Sequence, residues 1–172
     1  MTPVYFPPAA GDATRAASAL LPWEELHRYW LSKHVGDRPP SRSEIDPPID
    51  IPRLIAHLAI LDIIPGGYRY RLYGSAIVYR HGKDMTGKIL SSHKAYSETI
   101  TKLRSALDAV AASQKPRMLI TYADDAHIPS HVLLALPLVP AGGKTAQILA
   151  GFFYNDRAVP GTPIVGVIAV ET

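Results

Sequence analysis

Three apolar runs that do not alternate limit this chain more than any other feature. "LAILDII" (58–64), "HVLLALPLV" (131–139) and "AQILAGFFY" (146–154) place hydrophobic side chains at consecutive positions. A strand turns successive side chains to opposite faces of its sheet. Strands that are apolar on both faces predict a sheet covered on both faces. The chain must therefore supply two covers.

It has segments suited to both. A helix is expected over 22–35, with Pro22 in its first turn and Gly36 as its stop. Trp23, Leu26, Tyr29 and Trp30 form one stripe on it at helical spacing. A longer helix is expected over 94–112, where Tyr96, Ile100, Leu103, Leu107 and Val110 step by 4, 3, 4 and 3. The middle helices suit one face of the sheet and the N-terminal helix the other. Between them, "GDRPPSRSEIDPPIDIP" carries four prolines at 39–48 and reads as an ordered loop, with Arg38, Arg42, Glu44 and Asp46 close enough to pair. Asp50 is expected to cap a short helix with Pro52 in its first turn.

"LAILDII" and "YRYRLY" (68–73) flank Pro65-Gly66-Gly67 and predict a hairpin. The second strand alternates on paper, with Tyr68, Tyr70 and Leu72 on one side and Arg69, Arg71 and Tyr73 on the other. "SAIVYRHG" reads as a short helix closed by Gly82, and "KDMTGK" as a further turn. "RMLITYA" (117–123) and the two later apolar runs make a three-strand meander. Pro137 donates no ladder hydrogen bond, which predicts a bulge or a strand end there. The tail "TPIVGVIAV" reads as a strand or a docked extension.

Composition closes several routes. There is no cysteine, which excludes disulfides, cysteine-ligated metal, a thiol nucleophile and a flavin photoreceptor working through a cysteine adduct. No apolar run approaches ~18 residues, so no membrane span is expected. The N-terminus makes a poor signal peptide, and the cytoplasm is the expected compartment. The net charge of +3 is too small to argue for nucleic acid by itself.

The order of elements is helix, hairpin, short helices, long helix, meander. Five antiparallel strands with helices inserted after the second is the arrangement of PAS domains. The chain resembles a family of short stand-alone bacterial PAS-like proteins. The resemblance rests on the Tyr29-Trp30 pair, "RPPSRSEIDP", "HLAILDI", "YRYRLYGS", "GKDMTGK" and Leu136-Pro137-Leu138, and spans roughly residues 20–153. It implies an α+β fold: a PAS-like five-stranded antiparallel sheet with inserted helices and an N-terminal helical extension. The expected division is an arm with a capping helix (1–50), the PAS-like core (51–157) and a tail (158–172). The resemblance also implies a sensory or adaptor role through protein contacts. It carries over no catalytic residue.

The stretch from 68 to 88 packs four tyrosines and five Lys/Arg residues against a single Asp. Arg69, Arg71, Arg80, Lys83 and Lys88 could contact phosphates while tyrosines stack on bases. An alternating strand puts Tyr68 and Tyr70 opposite Arg69 and Arg71, so the structural reading is favoured and no nucleic acid is expected. The arginines are expected to bind acidic groups of the arm, such as Glu44 or Asp46. His127 and His131 have metal spacing only on a helix, and Pro129 argues for a loop, so no metal is expected. His81 and His93 are the only haem-ligand candidates in the helical insert, and no cofactor is expected. No G-x-S-x-G or G-x-x-x-x-G-K-[ST] motif occurs, and no enzyme activity is expected; the alternatives are an enzyme with an unmarked pocket and a nucleic-acid binder using the basic 69–88 segment.

A ligand site, where one exists, belongs between the sheet and the inserted helices. Its expected lining is Tyr70, Leu72, Tyr79, Ile100, Leu103, Leu134, Leu136 and Ile148. Against this stands the reading that these side chains simply fill a solid core. The stripe Trp23, Leu26 and Trp30 is the expected interface of a homodimer, alongside an unidentified protein partner.

Overall fold

The computed structural model describes residues 21–90, 97–122, 129–154 and 164–169. Helix α1 (Pro22–Ser32) starts at Pro22, and the Glu24 carboxylate accepts the Leu21 N–H at 3.1 Å. It ends three residues short of the expected bound. A loop follows, with a one-turn helix α2 (Pro47–Asp50) and a 3-10 helix (Pro52–His57). Arg38 holds this loop in place. It donates to both Glu44 oxygens at 3.0 and 2.7 Å and to the Val139 carbonyl at 2.9 Å. Asp50 does not cap the helix at Pro52. It ends α2, and its carboxylate accepts from the Tyr29 hydroxyl at 3.0 Å and pairs with Lys33 at 2.9 Å.

The strands are β1 (Leu58–Ile64), β2 (Gly67–Tyr73), β3 (Arg117–Tyr122), β4 (Pro129–Leu138), β5 (Gln147–Tyr154) and β6 (Ile164–Ala169). They form one antiparallel sheet in the order β2-β1-β5-β4-β3-β6. Helices α3 (Ser75–His81) and α4 (Ser97–Ser113) are inserted between β2 and β3. The first five strands are the expected sheet, and the tail adds β6 to the outer edge of β3. Pro137 sits one residue before the end of β4, beyond the Arg117–Ala135 pair where the β3 ladder stops. Among the described residues no helix is long and apolar enough to cross a membrane.

Both faces are covered, as the apolar runs require. On one face α1 and the loop after it bury Leu26, Trp30, Ile45 and Leu54 against Ile60, Leu134, Leu136 and Leu149. On the other, α3 and α4 bury Ile77, Leu103, Leu107 and Val110 against Leu61, Tyr70, Leu133 and Ile148. Period-two parity decides the assignment along β4: Leu133 and Ala135 face the α4 side, Leu134 and Leu136 the α1 side.

Strand β2 breaks its expected alternation. Ile60 pairs with Leu72 but Leu61 pairs with Tyr70, so Arg71 is an extra residue in a β-bulge. The bulge reverses the parity after it. Leu72 joins the α1 side, and Tyr73 joins Tyr70 on the α4 side. Residues 87–90 then run back along the outer edge of β2. The Gly87 N–H donates to the Tyr70 carbonyl at 2.7 Å, the Tyr70 N–H to the Lys88 carbonyl at 2.9 Å, and the Leu90 N–H to the Tyr68 carbonyl at 2.8 Å. This turn covers an edge that would otherwise expose unpaired backbone groups.

Candidate functional site

A polar–aromatic cluster interrupts the apolar packing on the α4 side of the sheet. Its centre is His81, the last residue of α3. The helix can stop there because Gly82 takes the left-handed conformation at φ 71°. The β2 bulge brings Tyr73 to the same face. Strand parity brings Tyr154 there with Phe152 and Ile148, and His131 there with Leu133.

The Tyr73 hydroxyl is hydrogen-bonded to His81 Nδ1, and the Tyr154 hydroxyl to Nε2 at 3.2 Å. The His131 ring stacks on Tyr154, with centroids 4.7 Å apart and planes within 10°. Its other aromatic neighbour is Phe152 at 5.9 Å. Tyr70 meets Tyr73 edge-on at 4.9 Å, and the Arg80 guanidinium lies 5.3 Å from the Tyr154 ring centre. His131 Nε2 is buried and has no hydrogen-bond partner among the described residues.

Burial sets the charge of the cluster. It lowers the His131 pKa to about 4, helped by neighbouring His81 and Arg80. It lowers the His81 pKa too, with Arg80 adding to the effect. It raises the Tyr73 hydroxyl to about 12, with Asp84 contributing, and raises Tyr70 and Tyr154 further. At neutral pH the imidazoles and phenols are therefore uncharged. In neutral His81 one ring nitrogen donates and the other accepts, so one phenol accepts while the other donates. The arrangement can exchange hydrogen bonds with a polar guest and stack on a planar one. Both His81 nitrogens are engaged, whereas His131 Nε2 has no partner among the described residues.

The expected lining divides three ways. Tyr70, Leu103 and Ile148 are buried on the α4 side, and Ile100 packs against them. Leu72, Leu134 and Leu136 lie on the opposite face and cannot line a pocket under α4; the bulge moves Leu72, and parity places the other two. Tyr79 is 91% exposed on the outer side of α3. The expected interface residues are also used internally. Leu26 and Trp30 are 0% and 1% exposed, and the Trp30 indole N–H donates to the Pro137 carbonyl at 2.9 Å. They leave no surface for a second copy, and Trp23 packs at their edge.

Among the described residues the arginines of β2 do not pair with Glu44 or Asp46. Arg71 pairs with Asp62 on β1 at 2.9 Å, and Glu44 is taken by Arg38. Tyr68 and Tyr70 are buried while Arg69 is exposed. His93 and His127 lie outside the described residues. Among the described residues no three His, Asp or Glu side chains converge on one point. Sequence reasoning considered His81 and His131 only as metal or haem ligands and passed over Tyr73 and Tyr154. Parity along β5, counted from Ile148, was a signal that could have found Tyr154. Nothing in the sequence marked the bulge that turns Tyr73 inward.

A family model described as PAS domain matches residues 20–153 of the chain. No curated protein and no solved structure matches it.

Proposed function

The chain belongs to the PAS domain family, and we propose that it is a non-enzymatic sensory or adaptor module acting through protein contacts under the bias of a small ligand. PAS domains are in general sensory and signalling modules. The observation that carries the reading is the His81–Tyr73–Tyr154–His131 cluster between α3 and the sheet. A partly buried polar network has more than one hydrogen-bonding arrangement, and a guest selects among them. His131 Nε2 offers such a guest a buried group with no described partner.

The output route begins at α3. His81 closes that helix, so a guest that takes over its hydrogen bonds shifts the helix that carries exposed Tyr79. A protein partner gripping Tyr79 would read the shift. Protein contact is favoured over nucleic acid because Tyr68 and Tyr70 are buried away from the exposed Arg69.

Native mass spectrometry on protein purified gently from its host, before and after denaturation, tests the ligand. The expected result is a small mass retained natively, lost on denaturation, and absent from the Tyr73→Phe/Tyr154→Phe double variant. Identical native and denatured masses, with no change in melting temperature across a library of planar polar compounds, would overturn the ligand reading.

A further inference from the structure

A second site lies at the far end of the α4 face, away from α3. The β1–β2 hairpin, α4 and the loop before β5 enclose an open hollow of about 480 Å³. That falls in the size range of small-molecule sites, about 300–1,000 Å³. Ile63, Ala111 and Ala112 give it apolar walls.

Its polar groups carry both signs. Arg104 and Asp108 stand one turn apart on α4, and Lys144 approaches from the loop before β5. Arg104 is positioned by donating to the Gly66 carbonyl at 2.8 Å. Asp108 accepts the Tyr68 hydroxyl at 2.5 Å on one oxygen. The other oxygen has no described partner, nor does the Lys144 ammonium. Beside Lys144, Thr145 is only 8% exposed, and its hydroxyl is buried without a partner among the described residues. A buried hydroxyl left unpaired is costly, and a bound polar group would satisfy it.

We propose that this hollow holds a small zwitterion of the α-amino acid class with a short apolar side chain. Its carboxylate meets Arg104 and Lys144, its ammonium meets the second Asp108 oxygen, and its side chain rests on Ile63 and Ala111. A simple anion would leave Asp108 uncompensated and facing a like charge. A simple cation would do the same to Arg104 and Lys144.

Amide NMR titration of the full chain tests this with three probes: L-valine, isovalerate (the same body without the ammonium) and isobutylamine (without the carboxylate). Saturable shifts at Arg104, Ala111, Lys144 and Thr145 are expected with valine, and about tenfold weaker binding with either single-charge probe. Lys144→Ala, on an exposed loop, should weaken valine about tenfold. Ala112→Leu should block the hollow while keeping the helix. No shifts with valine, equal affinity for all three probes, or affinity untouched by both variants would overturn the proposal. So would shifts confined to His81 and Tyr73, which would assign valine to the other cluster instead.

Discussion

The two faces of the sheet are built to different rules. The α1 face is aliphatic and aromatic, with two of its polar groups fixed at the margins: the Trp30 indole on the Pro137 carbonyl, and the Tyr29 hydroxyl between Asp50 and the Asp46 N–H. Trp23 Nε1, His27 Nε2 and His34 Nε2, on and just after α1, are buried without a partner among the described residues and form no network with one another. The α4 face is also largely apolar, but at its α3 end it gathers two histidines and three tyrosines beside one another: Tyr70 and Tyr73 are buried, His131 and Tyr154 partly buried, and His81 is exposed at the rim. Those groups can trade partners. The difference separates a face that holds the fold from the face on which the proposed change of state would occur.

The largest expected effect falls on the holding face. Trp30→Ala leaves a cavity under α1 and orphans the Pro137 carbonyl. It should cost about 3–5 kcal/mol in urea unfolding. A loss below about 1 kcal/mol would mean that the face collapses around the gap, and the contrast between the faces would weaken.

Acid should act on the other face. The His131 pKa lies near 4 in the folded protein against about 6.5 unfolded, so the unfolded chain binds more protons in that window. Stability is therefore full above about pH 6.5 and falls toward about pH 4, by roughly 3 kcal/mol from His131. His27, His34 and His81 have lowered pKa values as well and add the same sign. In urea titrations over this range, His131→Phe should flatten the slope yet keep the stacking. An unchanged slope would place the acid sensitivity on the His27–Trp30–His34 run of α1 instead.

Two glycines refine the comparison. A Cβ on Gly74, before α3, would strike the Ala56 carbonyl, which is backbone and cannot step aside. A Cβ on Gly151, under α1, would meet Leu26 Cδ2 at 2.5 Å and the Phe153 ring at 2.6 Å, both side-chain ends that can turn. Both substitutions to Ala overpack, in the range of about 1–3 kcal/mol, with Gly74→Ala the costlier. Thermal melts of the two variants decide the order. If Gly151→Ala costs more, the α1 face is the more rigid of the two, and the entry to α3 has slack.

Much of this arrangement was legible in the sequence. Apolar runs without alternation demanded two covers, and the stripe on α1 and the spacing along α4 supplied them. Which strand residue faced which cover was harder. It follows from parity, and one bulge at Arg71 reverses parity for Leu72 and Tyr73 without any mark in composition. Leu134 and Leu136 went to the wrong side for a related reason: in a run apolar on both faces, nothing distinguishes Leu133 from Leu134. Tyr79 was misplaced because a seven-residue helix gives too few turns to define a buried face. The clusters that carry chemistry join residues far apart in sequence, such as Tyr73 with Tyr154, and only the strand order brings them together.

The smallest effect belongs to the corner of the sheet at Arg71. Its side chain is 67% exposed and reaches Asp62, which also accepts from Gln147 Nε2 at 2.5 Å. An exposed ion pair of this kind contributes about 0–1 kcal/mol. Removing the arginine leaves Asp62 with its Gln147 donor, so no buried charge is stranded. Arg71→Ala should therefore shift the urea midpoint by less than about 1 kcal/mol equivalent, and the shift should vanish in high salt. It also keeps the bulge, because the extra residue is still present. A larger, salt-insensitive loss would show that the Arg71 side chain sets the bulge. In that case the same residue would hold Tyr73 in place beside His81, and the two faces would be coupled through β2.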